Sequence, residues 1–141
     1  MAKYIKPTLD TKFHIDFSWW QKQPQQLKSH LQSHACPACQ EHYQDQQNQA
    51  FDWIDPETGE VFQIDMLWYN IQVHCSQQPD FIEEHLPLTA AIFRAFIATG
   101  NASLTPVEIY DKIKQKSPSV ILGTIGGHKV YNGIRPVVLS V

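Results

Sequence analysis

Cysteine is scarce in this 141-residue chain: there are three, Cys36, Cys39 and Cys75. So small and odd a set excludes a full disulfide framework and favours a reducing compartment, where thiolates are available to a metal. Long hydrophobic runs are missing as well, and none approaches the roughly 20 residues that a membrane-crossing helix needs. Met1 to Pro7 starts basic but has no apolar stretch behind it, so it does not read as a secretory signal, and a cytoplasmic location is expected. The common marks of catalysis are absent too. There is no serine nucleophile elbow, no HExxH and no paired-carboxylate arrangement. Gly123, Gly126 and Gly127 lack the spacing of a phosphate loop and the Lys-Ser/Thr that follows one. No internal repeat is evident. The expectation is a protein that is not an enzyme.

What is present supports a folded core. The hydrophobic share is 43%, with four Trp and seven Phe. That suits one compact domain or two small ones sharing an interface. The net charge of −3 is unevenly spread. Residues 1–86 carry 5 Lys/Arg and 12 Asp/Glu, a balance of −7, whereas residues 87–141 carry 6 and 2, a balance of +4. An acidic first region and a basic second one point to two functional regions, or to halves that complement each other electrostatically.

The sharpest signal is Cys36-Pro37-Ala38-Cys39, bracketed by His34 and His42, with His74 directly before Cys75. Two thiolates three residues apart can face one cation across a tight knuckle. A soft divalent ion such as Zn²⁺ then needs two more ligands, and Cys75 plus one histidine would close a Cys₃His tetrahedron. Iron is the alternative metal. For the fourth ligand His42 is favoured, three residues past Cys39, with His34 or His74 as alternatives. Neighbours on a helix point about 100° apart, so His74 could join Cys75 only if the helix frayed there. A closed four-ligand site leaves no position for substrate, which makes it a staple. Two further metal or thiol readings are weaker. Cys-Pro-x-Cys also occurs in thioredoxin-like redox proteins, but a polar, helical segment precedes it here in place of a buried strand. His14-x-Asp16 on a strand has the spacing of two ligands of a non-haem iron triad, but the many strands of such a barrel are missing.

Along the chain, Phe13 to Phe17 alternates as a half-buried strand, and Ser18 is read as the cap of a short helix bearing Trp19 and Trp20. Pro24 opens a helix to about Ser33, and 51–54 with 61–64 form a hairpin across the Asp55–Glu60 turn. A helix follows to about Ser76, carrying Cys75 near its end. Leu88–Thr99 is an apolar helix ending at Gly100-Asn101. Thr105-Pro106-Val107-Glu108 is a capping box, and its helix ends among Lys112, Lys114 and Lys116. Ser117-Pro118 opens a third helix, broken by Gly126-Gly127. Lys129–Tyr131, Asn132-Gly133 and Ile134–Val138 read as strand, turn and strand.

Three helices followed by a hairpin resemble a winged helix, through the capped second helix, the short third helix and the Asn132-Gly133 wing. The resemblance covers about a third of the chain. It implies a module that docks DNA or protein. The third helix carries Ser117, Ser119 and Thr124 but no Lys or Arg, which departs from usual DNA readers. Lys112, Lys114, Lys116, Lys129 and Arg135 remain candidate phosphate or partner contacts, with Trp19 or Trp20 as an apolar contact. The sequence therefore points to a mixed α/β (α+β) protein. An acidic, zinc-stapled region (1–86) is expected to pack on a basic, winged-helix-like region (87–141). The expected function is a regulatory adaptor that binds a protein partner, with DNA as the alternative, and with neither a membrane nor a small-molecule substrate involved.

Overall fold

A computed structural model describes residues 6–43 and 49–137. The fold is mixed α and β. Strand β1 (Phe13–Ile15) leads into α1 (Phe17–Gln21), α2 (Pro24–His34) and α3 (Pro37–Tyr43). A hairpin, β2 (Ala50–Ile54) and β3 (Val61–Asp65), runs into α4 (Met66–Val73) and a 3-10 turn, Cys75–Gln77. Helices α5 (Leu88–Ala98), α6 (Pro106–Ile113) and α7 (Pro118–Ile125) follow, and β4 (Ile134–Pro136) closes the described chain.

Local chemistry accounts for most of these boundaries. Asp16, not Ser18, caps α1: its carboxylate accepts the Ser18 N–H at 3.0 Å, because the chain turns two residues earlier than the strand pattern implied. Pro24, Pro106 and Pro118 each occupy the first turn of a helix, where the missing N–H costs nothing. Thr105 and Glu108 form the full reciprocal capping box, at 3.2 and 2.9 Å.

The β2–β3 hairpin pairs Trp53 with Phe62 facing the core and Ile54 with Val61 facing solvent. The second sheet joins distant parts of the chain. β1 pairs antiparallel with β4, Phe13 opposite Pro136 and Ile15 opposite Ile134, and Phe13 also bridges Leu104. The Asn132-Gly133 turn is present, with both residues at positive φ (56° and 79°) and a bridge from Tyr131 to Ile134. A Cβ at Gly133 would lie 2.7 Å from Trp20 Nε1, so the turn packs flush on the indole. β4 takes its ladder from β1, and Val138 lies outside the described residues.

One apolar cluster runs through both regions. Phe13, Ile15, Leu31, Leu67, Trp68, Ile71, Phe93, Phe96 and Ile109 are all sealed from solvent within it. Buried Asn101 fastens the regions together: its side chain accepts from Ile15 N–H (2.8 Å) and donates to Ile15 C=O (2.9 Å). The core thus fixes α4 against α2, α3 and α5, and that packing sets the ends of those helices side by side.

Candidate metal centre

The site forms where two helix junctions meet. Ala35 leaves α2 in an extended conformation, and Pro37 starts α3 one residue after Cys36. A residue before proline is held away from the helical region, so Cys36 stands at the head of α3 as a cap. Its sulfur accepts the Cys39 N–H, which brings the two thiols to the same end of one turn. The other junction closes from α4. Regular helix stops at Val73, and His74 takes φ −116°, well off the helical value of about −63°. A 3-10 turn begins at Cys75. This break removes the 100° separation that would have kept His74 and Cys75 apart.

The result is a four-sided cage. Cys36 Sγ, Cys39 Sγ, Cys75 Sγ and one ring nitrogen of His74 all lie within 4.8 Å of one another. His74 Nδ1 is 3.4 Å from both Cys36 Sγ and Cys39 Sγ. Tetrahedral Zn²⁺, with Zn–S about 2.3 Å and Zn–N about 2.0 Å, would set sulfur and nitrogen ligands about 3.5 Å apart. The Cys36 N–H donates to Cys75 Sγ at 3.2 Å, steadying the sulfur on the far wall. Cys75 and Cys39 are buried, Cys36 is half-buried and His74 is exposed, so the cage sits at the surface with its sulfurs inward.

The electrostatics of the cage residues show why a cation suits it. Burial opposes ionisation of Cys36. Hydrogen bonds from the Cys39 backbone, from Cys75 and Cys39, and from His74 outweigh it and bring that thiol down to about 7. Burial first, and the neighbouring sulfurs next, push Cys39 up. Burial likewise leads the upward shift of Cys75, with the Cys36 sulfur adding to it. A first thiolate therefore suppresses the next two, and a divalent ion at the centre removes that conflict.

His42 and His34, the other histidines considered for the fourth position, are placed elsewhere. His42 is exposed on α3 and lines a shallow pocket of about 270 Å³ beside Cys39 and His74. His34 is buried, and both its ring nitrogens are occupied: Arg94 Nε donates to Nδ1 at 3.0 Å, and His30 Nε2 lies 3.3 Å from Nε2. Desolvation, helped by His30 and Arg94, lowers the His34 pKa to about 3 and keeps the ring neutral. His14 and Asp16 join no metal-ligating group among the described residues, and Asp16 instead meets Ser18 and Arg135.

The remaining candidate contacts scatter. Trp20 is buried, its indole donating to the Asn132 C=O at 2.9 Å, while Trp19 is half-buried and packs edge-on against it. Lys112, Lys114, Lys116 and Lys129 are exposed. Lys114 lies 3.6 Å from Asp111, Lys129 over the Tyr131 ring, and Arg135 3.1 Å from Asp16. Sequence reasoning passed over Arg94, the residue that claims His34. Its signal was the lone charge in an otherwise apolar helix. No protein-family model, curated protein or solved structure matches the chain.

Proposed function

We propose that the cage is a structural zinc site and that the protein is a non-enzymatic regulatory adaptor for a protein partner. The observation that carries the zinc reading is the convergence of three sulfurs and His74 Nδ1 within 4.8 Å. Sulfur-rich tetrahedral sites with nitrogen select Zn²⁺ over hard cations, and iron is the competing occupant. Four protein ligands leave no open position for a substrate, so the ion's work is to staple the α2–α3 junction to the end of α4. The adaptor role rests on the winged-helix-like succession of α5, α6, α7 and the Asn132-Gly133 turn. Exposed Val107 on α6 and Val120 on α7, with no Lys or Arg on α7, favour a protein over DNA.

The deciding experiment is metal content of the purified, untagged chain, with Cys36→Ser and Cys75→Ser alongside. One zinc per chain, lost in both variants, is the expected result. A metal-free wild type prepared without chelator overturns the staple. The partner class is read separately. Salt-dependent duplex binding, abolished by charge reversal at Lys114, Lys116, Lys129 and Arg135, would replace the protein partner with DNA.

A further inference from the structure

Arg94 is oddly placed. It is the only Lys or Arg between Lys28 and Lys112, and it sits in α5 among buried Ala91, Ile92, Phe93, Ala95, Phe96 and Ile97. Half-burying a guanidinium beside so apolar a helix is costly unless something nearby uses the charge. Its fixed contacts are neutral groups: Nη1 donates to the Phe81 C=O at 2.7 Å, Nε donates to His34 Nδ1 at 3.0 Å, and the guanidinium lies over the Phe81 ring. These contacts aim the group without neutralising it. The cleft it faces, about 150 Å³, is lined by Cys36 and Cys75 together with Asp80, Phe81 and Gln78. The Asp80 carboxylate acts on it most strongly, with Glu83 weaker, and the Cys75 sulfur adds to them once it is ionised.

We infer that Arg94 is the outer cation of the metal centre, held by His34 and Phe81 so that its charge offsets the anionic zinc–trithiolate. This rests on the zinc reading above. When Zn²⁺ binds, three thiols give up their protons to solvent, and the ion with three thiolates and a neutral imidazole keeps one net negative charge. Part of that charge lies on Cys36 and Cys75, and these two line the Arg94 cleft. A cation fixed there favours the loaded state over the protonated, empty one. Groups hydrogen-bonded to metal ligands commonly change metal affinity by about 10- to 100-fold, and a cation sharing the ligands' cleft acts in the same sense through its charge. Buried His34 then acts as the strut: one ring nitrogen receives Arg94, the other meets His30, and the ring stacks on Phe93.

The test is zinc affinity of the whole chain, measured by competition with a chromophoric chelator at fixed pH. Arg94→Met, which keeps an unbranched apolar side chain, is expected to bind zinc about 10- to 100-fold more weakly. Arg94→Lys is expected to recover most of that loss because it restores charge without the guanidinium fork. Gln78→Lys supplies a second cation to the same cleft and leaves the Arg94 contacts untouched. It is expected to tighten zinc binding in the wild-type background, and that comparison stands even where Arg94→Met fails to fold. If Arg94→Met is folded and binds zinc within about threefold of wild type, or if Gln78→Lys changes nothing, Arg94 is a structural tie and the inference falls. A wild type that holds no zinc overturns the zinc reading and this one with it. A wild type that holds zinc while the variants match it overturns this one alone.

Discussion

The metal cage and the α6–α7 pair are built by opposite means. In the pair, each helix start is fixed by residues within one turn: Thr105 with Glu108, and Ser117 with the Val120 N–H. In the cage, the partners that meet lie 35 to 39 positions apart, Cys36 and Cys39 on one side and His74 and Cys75 on the other. Local caps cost little chain entropy, whereas closing a long loop costs more and must be offset by what the closure gains. Without a cation that gain is poor, because the sulfur of Cys36, once ionised, opposes ionisation of Cys39 and Cys75. One half of the molecule should therefore depend on metal, and the other should tolerate its loss.

The largest expected effect tests this division directly. Cys75→Ser removes a buried ligand and is expected to lower unfolding free energy by about 3 kcal/mol or more and to abolish zinc binding. Amide exchange then separates the two halves. Backbone amides of α3 and of the Cys75–Gln77 turn should lose protection first, while those of Ile109 and Ile113 keep theirs. Equal loss in both places would mean that the staple supports the whole core and that the contrast is false.

The next effect concerns the tie between the halves. Asn101 bonds both backbone groups of Ile15 and holds φ at +63°. Asn101→Ala leaves a buried N–H and C=O unpaired and strains the backbone, for an expected loss of about 3–4 kcal/mol by denaturant unfolding. Asn101→Gly relieves the strain but not the lost bonds, so it should fall between the two. If Asn101→Gly matched wild type, the hydrogen bonds would be incidental and the conformation would be all that matters there.

The same division sets how far the sequence could be read. Thr105-Pro106-Val107-Glu108 declares its own structure, because capping is a matter of neighbouring residues. The hairpin around Asp55–Glu60 and the thiol trio Cys36, Cys39 and Cys75 were legible for similar reasons: alternation, a turn, a knuckle spacing. The fourth corner was not. His42 was favoured over His74 on the assumption of an unbroken helix, whereas α4 ends at Val73 and His74 departs to φ −116°. The pairing of β1 with β4 was hidden as well, because Phe13 and Pro136 share no pattern that marks them as partners. Asn101 reads in sequence as an ordinary helix stop after Gly100, and only the arrival of Ile15 makes it a clamp. Such contacts are set by tertiary placement, which overrides local propensity.

A smaller effect sharpens the local side of the comparison. Thr105→Ala removes the hydroxyl that receives the Glu108 N–H and is expected to cost about 1 kcal/mol. Because the cap is self-contained, that loss should be the same in zinc-loaded and chelator-treated protein. A loss that grew on chelation would show that α6 leans on the staple.

The smallest effect asks whether the acidic and basic regions are held together by charge. Asp16, in the acidic region, meets Arg135 in the basic one, Oδ2 to Nη1 at 3.1 Å. Burial works against the Asp16 carboxylate, but Ser18 and Arg135 outweigh it and hold its pKa below the usual 3.8. A carboxylate with a depressed folded-state pKa adds stability above its unfolded value, and that stability fades as pH falls through the folded one. Asp16→Asn isolates the charge, since asparagine caps a helix as well as aspartate does. The pair is partly exposed, so the expected loss at pH 7 is under about 1 kcal/mol. Wild type and variant should converge as pH drops below the carboxylate range, and added salt should narrow the gap at pH 7. A gap that stays constant with pH would show that the charge on Asp16 contributes nothing to stability. The opposite charges of the two regions would then not act through this pair.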